Sequence, residues 1–549
     1  MPDQLRHDDR KQWLCVFAFL LAIAGLGAYA RLKGITLVGH AGIDDYTHYK
    51  WAYAWLQGDH ALYGAYRLTY PFLGSLALRL FGLNDYSIHL FYALVGIANI
   101  FLTFLFAYLV TRSRLTSCIV TFFLAWSRRV VEYDRMETAP APGLFLFLLA
   151  AILIVLYVRR DEDGSARGHA AGWLLLLCSA MSLCLACHTH WEISFTAPAF
   201  VALLLLHCHA EGRGFLHFLK LSFFYTFSYF IPVILGALYF GPMTVYNNIF
   251  IEKVVQHKIY AAAWASDTLK LFVHDFKSIT AGPLGVEFIN IIFPFIVYYM
   301  MRSLIKYIRY PTNITNKAQK KSLFFCFFVW LIYFISTFVS GVNLQERHSA
   351  FFYPLVCTLA VVCLKEFYDF LKLKYGIRVS IGCIFVVFTI SIAQHQCLEI
   401  FTDRYQKNSS VSVYKMIAAE LAGRVDQKNR ILIVPYIVRD FKYQIFAQPS
   451  YMDHYNIDYI YDFTTDFEFP ELMAKRNIRY IVWLHKAADA RMAELDNFPL
   501  VNGLAYGAPG GTLTPQMERQ YIDAFLASAR ARTVLHTPDI EIYDIGSGR

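Results

Sequence analysis

Apolar runs of roughly membrane-spanning length recur along the first 395 residues, separated by short polar stretches, and a helix needs about 20 such residues to cross the hydrocarbon core of a bilayer. The pattern predicts eleven spans, near residues 13–31, 86–110, 115–128, 141–158, 171–187, 195–209, 218–240, 285–305, 322–341, 349–371 and 379–395. The third and sixth are short. The first is too long for a signal peptide, lacks a small-residue cleavage site and follows the basic Arg6, Arg10 and Lys11.

Two stretches break the pattern. Between Asp44 and Gly82, Tyr49, Ala52, Tyr53 and Leu56, then Leu73, Leu76 and Leu80, recur at helical spacing. They predict two amphipathic helices lying in the membrane interface, split by the turn-rich stretch Gly58 to Tyr70. Beyond residue 395 the period shortens: Arg430 to Pro435, Arg479 to Leu484 and Ile540 to Ile545 read as strands, and Glu471 to Arg476 and Pro515 to Ala531 as helices. The expected architecture is a polytopic α-helical membrane protein. Residues 1–395 form the membrane domain, with outer loops 32–85, 127–140 and 241–284, and residues 396–549 a small soluble α/β domain.

Composition agrees with the pattern and excludes alternatives. Of 549 residues, 57% are apolar and 17% charged, with a mean hydropathy of +0.40, against about 25% charged in ordinary soluble domains. A disordered chain and a wholly soluble enzyme are ruled out. The net charge of +9 comes with no basic tract interleaved with stacking aromatics outside the membrane segments, which argues against nucleic acid. The region beyond Cys397 contains no cysteine, so it carries neither a disulfide framework nor a zinc-ligand pattern. It has no Gly-rich phosphate loop either.

Charge placement sets the expected orientation. With the N-terminus in the cytoplasm, the inner segments collect Arg112 and Arg114, Arg159, Arg160 and Arg167, Arg213, the six cations from Arg302 to Lys321, and Lys365 to Arg378. An odd number of spans then puts the C-terminal domain outside. The expected location is the cytoplasmic membrane.

Acids at outer span ends are costly unless they work or are paired. Asp44 and Asp45, in Gly42-Ile-Asp-Asp-Tyr-Thr-His-Tyr49, open an interfacial helix, a position that also suits simple capping. Glu132, Asp134 and Glu137 lie in the second outer loop, which taken alone reads as solvated. Acids of the first two outer loops are in a position to converge on one site above the membrane.

Asp44-Asp45 followed by His48, Ala52, Leu56 and Gly58 resembles the first-loop Asp-Glu motif of the lipid-dependent glycosyltransferases of the GT-C type, which include protein O-mannosyltransferases and lipid A aminoarabinose transferases. Asp45 stands for the usual Glu and His48 for the usual Tyr. The resemblance continues in Tyr70-Pro-Phe-Leu73, in Arg135-Met-Glu137 and in Glu346-Arg-His-Ser-Ala-Phe-Phe-Tyr-Pro354, and in outline it covers nearly the whole chain. It implies the GT-C fold and an inverting transfer from a polyprenyl-phosphate-linked sugar to a glycan, lipid or protein acceptor. It also implies Asp44 as general base, Asp45 as a helper, and either Asp134 or Glu137 as the second acid. A positioned base is worth about 10²–10⁴ in rate.

The leaving phosphate gains negative charge and needs cations. Arg347, at the mouth of the tenth span, is the first candidate; Arg67, Lys253 and Lys258 follow, with snorkelling to headgroups as the ordinary alternative for the lysines. The stretch 241–284 has the position of a cover over the sugar site. His188-Thr-His190-Trp-Glu192 offers a divalent metal three ligands only where the backbone is extended; otherwise His190 and Glu192 hydrogen-bond the sugar or lipid phosphate, or cap a short helix. No other cofactor is called for. Asn408-Ser-Ser410 matches a glycosylation sequon. A transporter or flippase of lipid-linked sugars is the main competing class, and it calls for mid-membrane ionisable or Gly/Pro-broken positions and two similar halves. A non-catalytic scaffold leaves the Asp44-Asp45 placement unexplained.

Overall fold

The computed structural model describes residues 2–37, 43–58, 69–84, 86–135, 140–162, 169–189, 191–241, 287–309, 317–340, 351–376, 430–434, 456–459, 478–484, 515–537 and 540–546. They divide into two compact units, one of residues 1–35, 51–77 and 88–406, the other of 36–50, 78–87 and 407–549.

The first unit is a helical bundle, and the helices up to residue 376 fall where the apolar runs predict. In chain order they are α1 (Pro2–Leu32), α2 (Ile43–Leu56), α3 (Thr69–Phe81), α4 (Ser87–Thr111), α5 (Arg114–Trp126), α6 (Arg128–Asp134), α7 (Pro140–Glu162), α8 (His169–Cys187), α9 (Ala197–Ala210), α10 (Phe215–Phe240), α11 (Glu287–Arg309), α12 (Lys317–Ser340) and α13 (Tyr353–Tyr375). Among the described residues, six segments are long and apolar enough to cross a membrane: Lys11–Leu32, Ser87–Thr111, Ala141–Arg160, Ala170–Cys187, Ile193–Ala210 and Phe215–Tyr239. Helices α11, α12 and α13 occupy the eighth to tenth predicted spans. The predicted eleventh span, 379–395, lies outside the described residues.

The core runs through α7, α8, α9, α12 and α13, where Phe147, Leu183, Phe200, Phe325 and Leu355 are fully buried. At its centre Phe200 meets Phe325 edge-on with ring centroids 4.9 Å apart. By contrast, α1 exposes Leu14, Phe17 and Leu26, and α10 exposes Phe223, Leu235 and Leu238. That is the surface a lipid-facing helix presents, since lipid tails are as apolar as leucine.

The third predicted span, 115–128, becomes α5 and is as short as expected. Helix α5 has 13 residues, about 20 Å at 1.5 Å per residue, short of a hydrocarbon core of about 30 Å. It stops at Ser127, whose extended backbone (φ −67°, ψ 116°) breaks the helix and whose hydroxyl accepts from the Val130 amide to start α6. The described part of the predicted second outer loop is therefore not solvated: Val130, Val131, Asp134 and Arg135 are buried. An apolar pair plugs α6 into the bundle, a signal the polar residues around it mask in the sequence.

The two helices predicted between Asp44 and Gly82 are present as α2 and α3, with Gly58 at φ +83° just past the end of α2. Their contact face differs from the leucine stripe. A Cβ on Gly74 would lie 2.6 Å from the Ala52 Cβ, so two small residues let the backbones approach. The buried face of α3 carries Tyr70, Ala77 and Leu78, while Phe72 and Leu80 point outward.

In the second unit, strands β1 (Arg430–Val434), β2 (Asn456–Tyr459), β3 (Ile478–Leu484), β4 (Arg532–His536) and β5 (Ile540–Asp544) form one sheet of order β2-β1-β3-β5-β4. Strand β1 runs parallel to β2 and β3, and β5 antiparallel to β3 and β4. Helix α14 (Pro515–Ala529) packs Ile522 against Ile481 and Trp483. Arg519 bridges helix and sheet, pairing with Asp523 and Glu541 and lying over the Trp483 ring.

Candidate active site

At the Leu32 end of α1, Arg31 is fully buried, and its Nε donates to Asp134 Oδ2 over 2.7 Å. Its Nη1 donates to the carbonyls of Gly27 at 3.1 Å and Ala125 at 3.3 Å. Arg135 returns the contact by donating from Nη1 to the Ala30 carbonyl at 3.2 Å. His89 of α4 donates from Nδ1 to the Arg135 carbonyl at 2.7 Å, which puts its proton on that nitrogen.

Two glycines make room for this pair. A Cβ on Gly96 of α4 would lie 2.6 Å from Asp134 Cγ and Oδ2, and one on Gly27 would lie 2.5 Å from Ile100 Cδ1 and 3.3 Å from Arg31 Nη1. Burial pushes the Asp134 carboxyl up to about 6, with the adjacent Arg31 charge and hydrogen bond pulling the other way. The arrangement thus ties α6 to α1 with charge-assisted bonds, the strong kind, and to α4 through His89.

The same end of the bundle gathers further predicted site segments. Asn99 of α4 donates to the Ala141 carbonyl at the start of α7 at 3.0 Å. A Cβ on Gly143 would lie 2.7 Å from both Phe351 Cε1 and Thr189 Oγ1, so the turn after α8 and the lead into α13 meet the first turns of α7. Tyr353 donates to the Phe123 carbonyl at 3.1 Å.

At the opposite helix ends sit the cations that the sequence assigns to the inner side. Arg114 donates to Gln12 at 2.7 Å and lies over the Trp13 ring. Arg159 donates to the Leu109 carbonyl and Gln319 to the Thr111 carbonyl. Lys321, fully buried, donates to Glu211 at 2.8 Å and to His207 Nδ1 at 3.1 Å. Burial alone would raise the Glu211 carboxyl, but the Lys321 bond and charge outweigh it and hold it below its usual range.

The sequence-predicted residues fare unevenly. Asp44 and Asp45 lie in the first turn of α2, where negative charge complements the helix dipole. Asp134 is in the ion pair with Arg31. Glu192 lies in a 3₁₀ turn at Trp191–Thr196, and His188 and Thr189 form the preceding turn. Arg67, Glu137, His190 and Arg347, with Lys253, Lys258, Asn408 and the 242–286 stretch, lie outside the described residues. Sequence reading missed Arg31, His89, Gly96 and Arg135. Arg31 carried a signal, a cation inside the last turn of an apolar span, which calls for a partner.

No family model matches the chain. A protein of Aquifex aeolicus (strain VF5), described only as uncharacterized, is 24% identical over 200 residues, and the match spans 36% of this chain and 37% of that protein. Among solved structures, ArnT from Cupriavidus metallidurans bound to undecaprenyl phosphate superposes with a TM-score of 0.56 at 11% identity, over 97% of this chain and 98% of that one. The chain has the GT-C fold. The Archaeoglobus fulgidus oligosaccharyltransferase in complex with Zn and sulfate, of the same fold, superposes with a TM-score of 0.52 at 13% identity, over 87% of this chain and 69% of that one. The GT-C layout accounts for the many spans and the small terminal sheet together, as the first-loop and later motifs imply.

Proposed function

We propose that the chain is a membrane glycosyltransferase that moves a sugar from a polyprenyl-phosphate-linked donor to a glycan, lipid or protein acceptor at the outer face of the cytoplasmic membrane, with the C-terminal domain on that side. The observation that carries this reading is the end-to-end likeness to a structure bound to undecaprenyl phosphate, 97% of this chain against 98% of that one.

In this reading Asp44 takes the proton of the acceptor hydroxyl. The acceptor oxygen attacks the anomeric carbon from the face opposite the phosphate, the bond to the phosphate oxygen breaks, and polyprenyl phosphate leaves, inverting the centre. Asp45 orients the acceptor, and Glu137 serves as the second acid. Arg347, with Arg67, neutralises the charge growing on the phosphate, while His190 and Glu192 hold the sugar or the phosphate. The buried engagement of Asp134 with Arg31 supports assigning the second acid to Glu137.

The test is mass spectrometry of surface glycans and lipids from cells with the gene, without it, and with Asp44→Asn. The expected outcome is a sugar that disappears with the gene and is not restored by Asp44→Asn, although the variant protein accumulates in the membrane. Full restoration by that variant overturns the assignment.

A further inference from the structure

Asp134 and Arg31 are the most completely buried charge pair among the described residues, at 3% and 0% side-chain exposure. The pair is built rather than incidental. The carboxylate receives the Nε hydrogen at 2.7 Å, Nη1 reaches two backbone carbonyls, and two glycines leave the space both side chains fill. The next residue, Arg135, is tied back to α1 through the Ala30 carbonyl and to α4 through His89. Three polar contacts therefore fix the C-terminal turn of α6 to the ends of two spans. Beyond that turn the chain continues to Glu137 and into α7.

From this geometry we infer that Arg31 is a positioning residue for transfer: it acts through Asp134 to fix the second outer segment, and Asp134 itself does not touch the reacting atoms. The inference rests on the glycosyltransferase reading. A carboxylate whose oxygen is committed to a buried guanidinium is poorly placed to bind an acceptor, whereas the turn it anchors is the one from which the sequence runs on, three positions later, to Glu137. Displacement by about 1 Å at a reacting group costs up to about 10²-fold in rate.

A double-mutant cycle tests it in cells that lack the gene, with the full chain returned as wild type, Arg31→Gln, Asp134→Asn or both. The readout is the restored sugar per folded molecule in the membrane. It is joined by donor kinetics in membranes given the lipid-linked sugars extracted from wild-type cells. The expected result is a loss of about tenfold or more in each single variant and no further loss in the double, because both changes remove the same fastening. The loss should fall on kcat with the donor KM unchanged. Arg31→Lys, which keeps the charge but loses the fork, is expected to fold and to transfer several-fold more slowly, and it stands in should Asp134→Asn fail to accumulate.

Asp134→Asn abolishing transfer where Arg31→Gln only slows it, or losses that multiply in the double, would place Asp134 on the reactants and overturn the inference. Unchanged transfer per folded molecule in every variant would overturn it too, leaving the pair with a folding role alone. Failure of the wild-type gene to restore any sugar would instead overturn the glycosyltransferase reading, and this inference with it.

Discussion

Gly96→Ala and Gly25→Ala make the same chemical change in two membrane helices and should have opposite effects. At Gly25 a Cβ meets nothing within 4 Å. The substitution there gains helix propensity, about 1 kcal/mol, and little else. At Gly96 the same methyl would lie 2.6 Å from the Asp134 carboxyl carbon and oxygen, about 1 Å inside ordinary contact. Overpacking of this kind costs about 1–3 kcal/mol. Asp134 cannot retreat without lengthening its bond to Arg31, and hydrogen bonds to charged groups contribute about 1.5–3 kcal/mol. Set against the propensity gain, a net loss of about 1–4 kcal/mol is expected for Gly96→Ala.

The assay is thermal unfolding of the purified full chain in detergent, followed by intrinsic tryptophan fluorescence. The expected result is a fall of a few degrees in apparent Tm for Gly96→Ala and no fall for Gly25→Ala, scanned at one rate because such unfolding is commonly irreversible. A Gly96→Ala protein as stable as wild type would refute the claim that α4 and the Asp134 carboxylate are packed to the limit.

Three further outcomes follow from the buried charges. Glu211→Gln leaves Lys321 buried without its counter-charge and should cost about 3–5 kcal/mol, whereas Lys321→Met leaves a partly exposed Glu211 able to reach water and should cost less; the double variant should recover most of the loss. Acidification should move the two carboxylates in opposite directions. Glu211 is held below its usual range, so its contribution is present at neutral pH and lost as pH falls through its lowered pKa. Asp134 is raised to about 6, so the folded state binds its proton more readily, and its contribution grows as pH falls from 7 toward 5; Asp134→Asn should flatten that part of the Tm–pH curve. In the second unit, Arg519→Ala strips Glu541, 6% exposed, of a charge partner and should destabilise the sheet by about 1–3 kcal/mol, measured as faster proteolysis of the C-terminal region with the membrane helices intact.

Much of the fold is legible in the sequence because its strongest term, hydrophobic length, is written in runs of residues. The runs at 86–110 and 141–158 become α4 and α7 almost residue for residue. The buried helix after Ser127 was not legible, since the polar residues of α6 mask its valine pair. Strands β2 and β4 escaped as well: Asn456–Tyr459 and Arg532–His536 are short and polar, and they become strands through pairing with β1 and β5. Asp44, in the first turn of α2, is proposed for the site on chemistry and position in the sequence alone. Arg31 and Asp134 are 103 positions apart, and no local pattern joins them. Their meeting is a property of helix packing, signalled in sequence only by the cost of leaving either charge alone in an apolar setting.

That separation also sets a timetable. Arg31 leaves the ribosome in the first span, while the carboxylate that will neutralise it lies 103 residues further on. At about 5–20 residues per second, the wait lasts on the order of 5–20 seconds, during which α1 holds a bare guanidinium in its last turn. Long cations near helix ends can keep their charge at the water boundary in the meantime. Until α6 has been made, the first span therefore carries a charge that only the membrane boundary can accommodate.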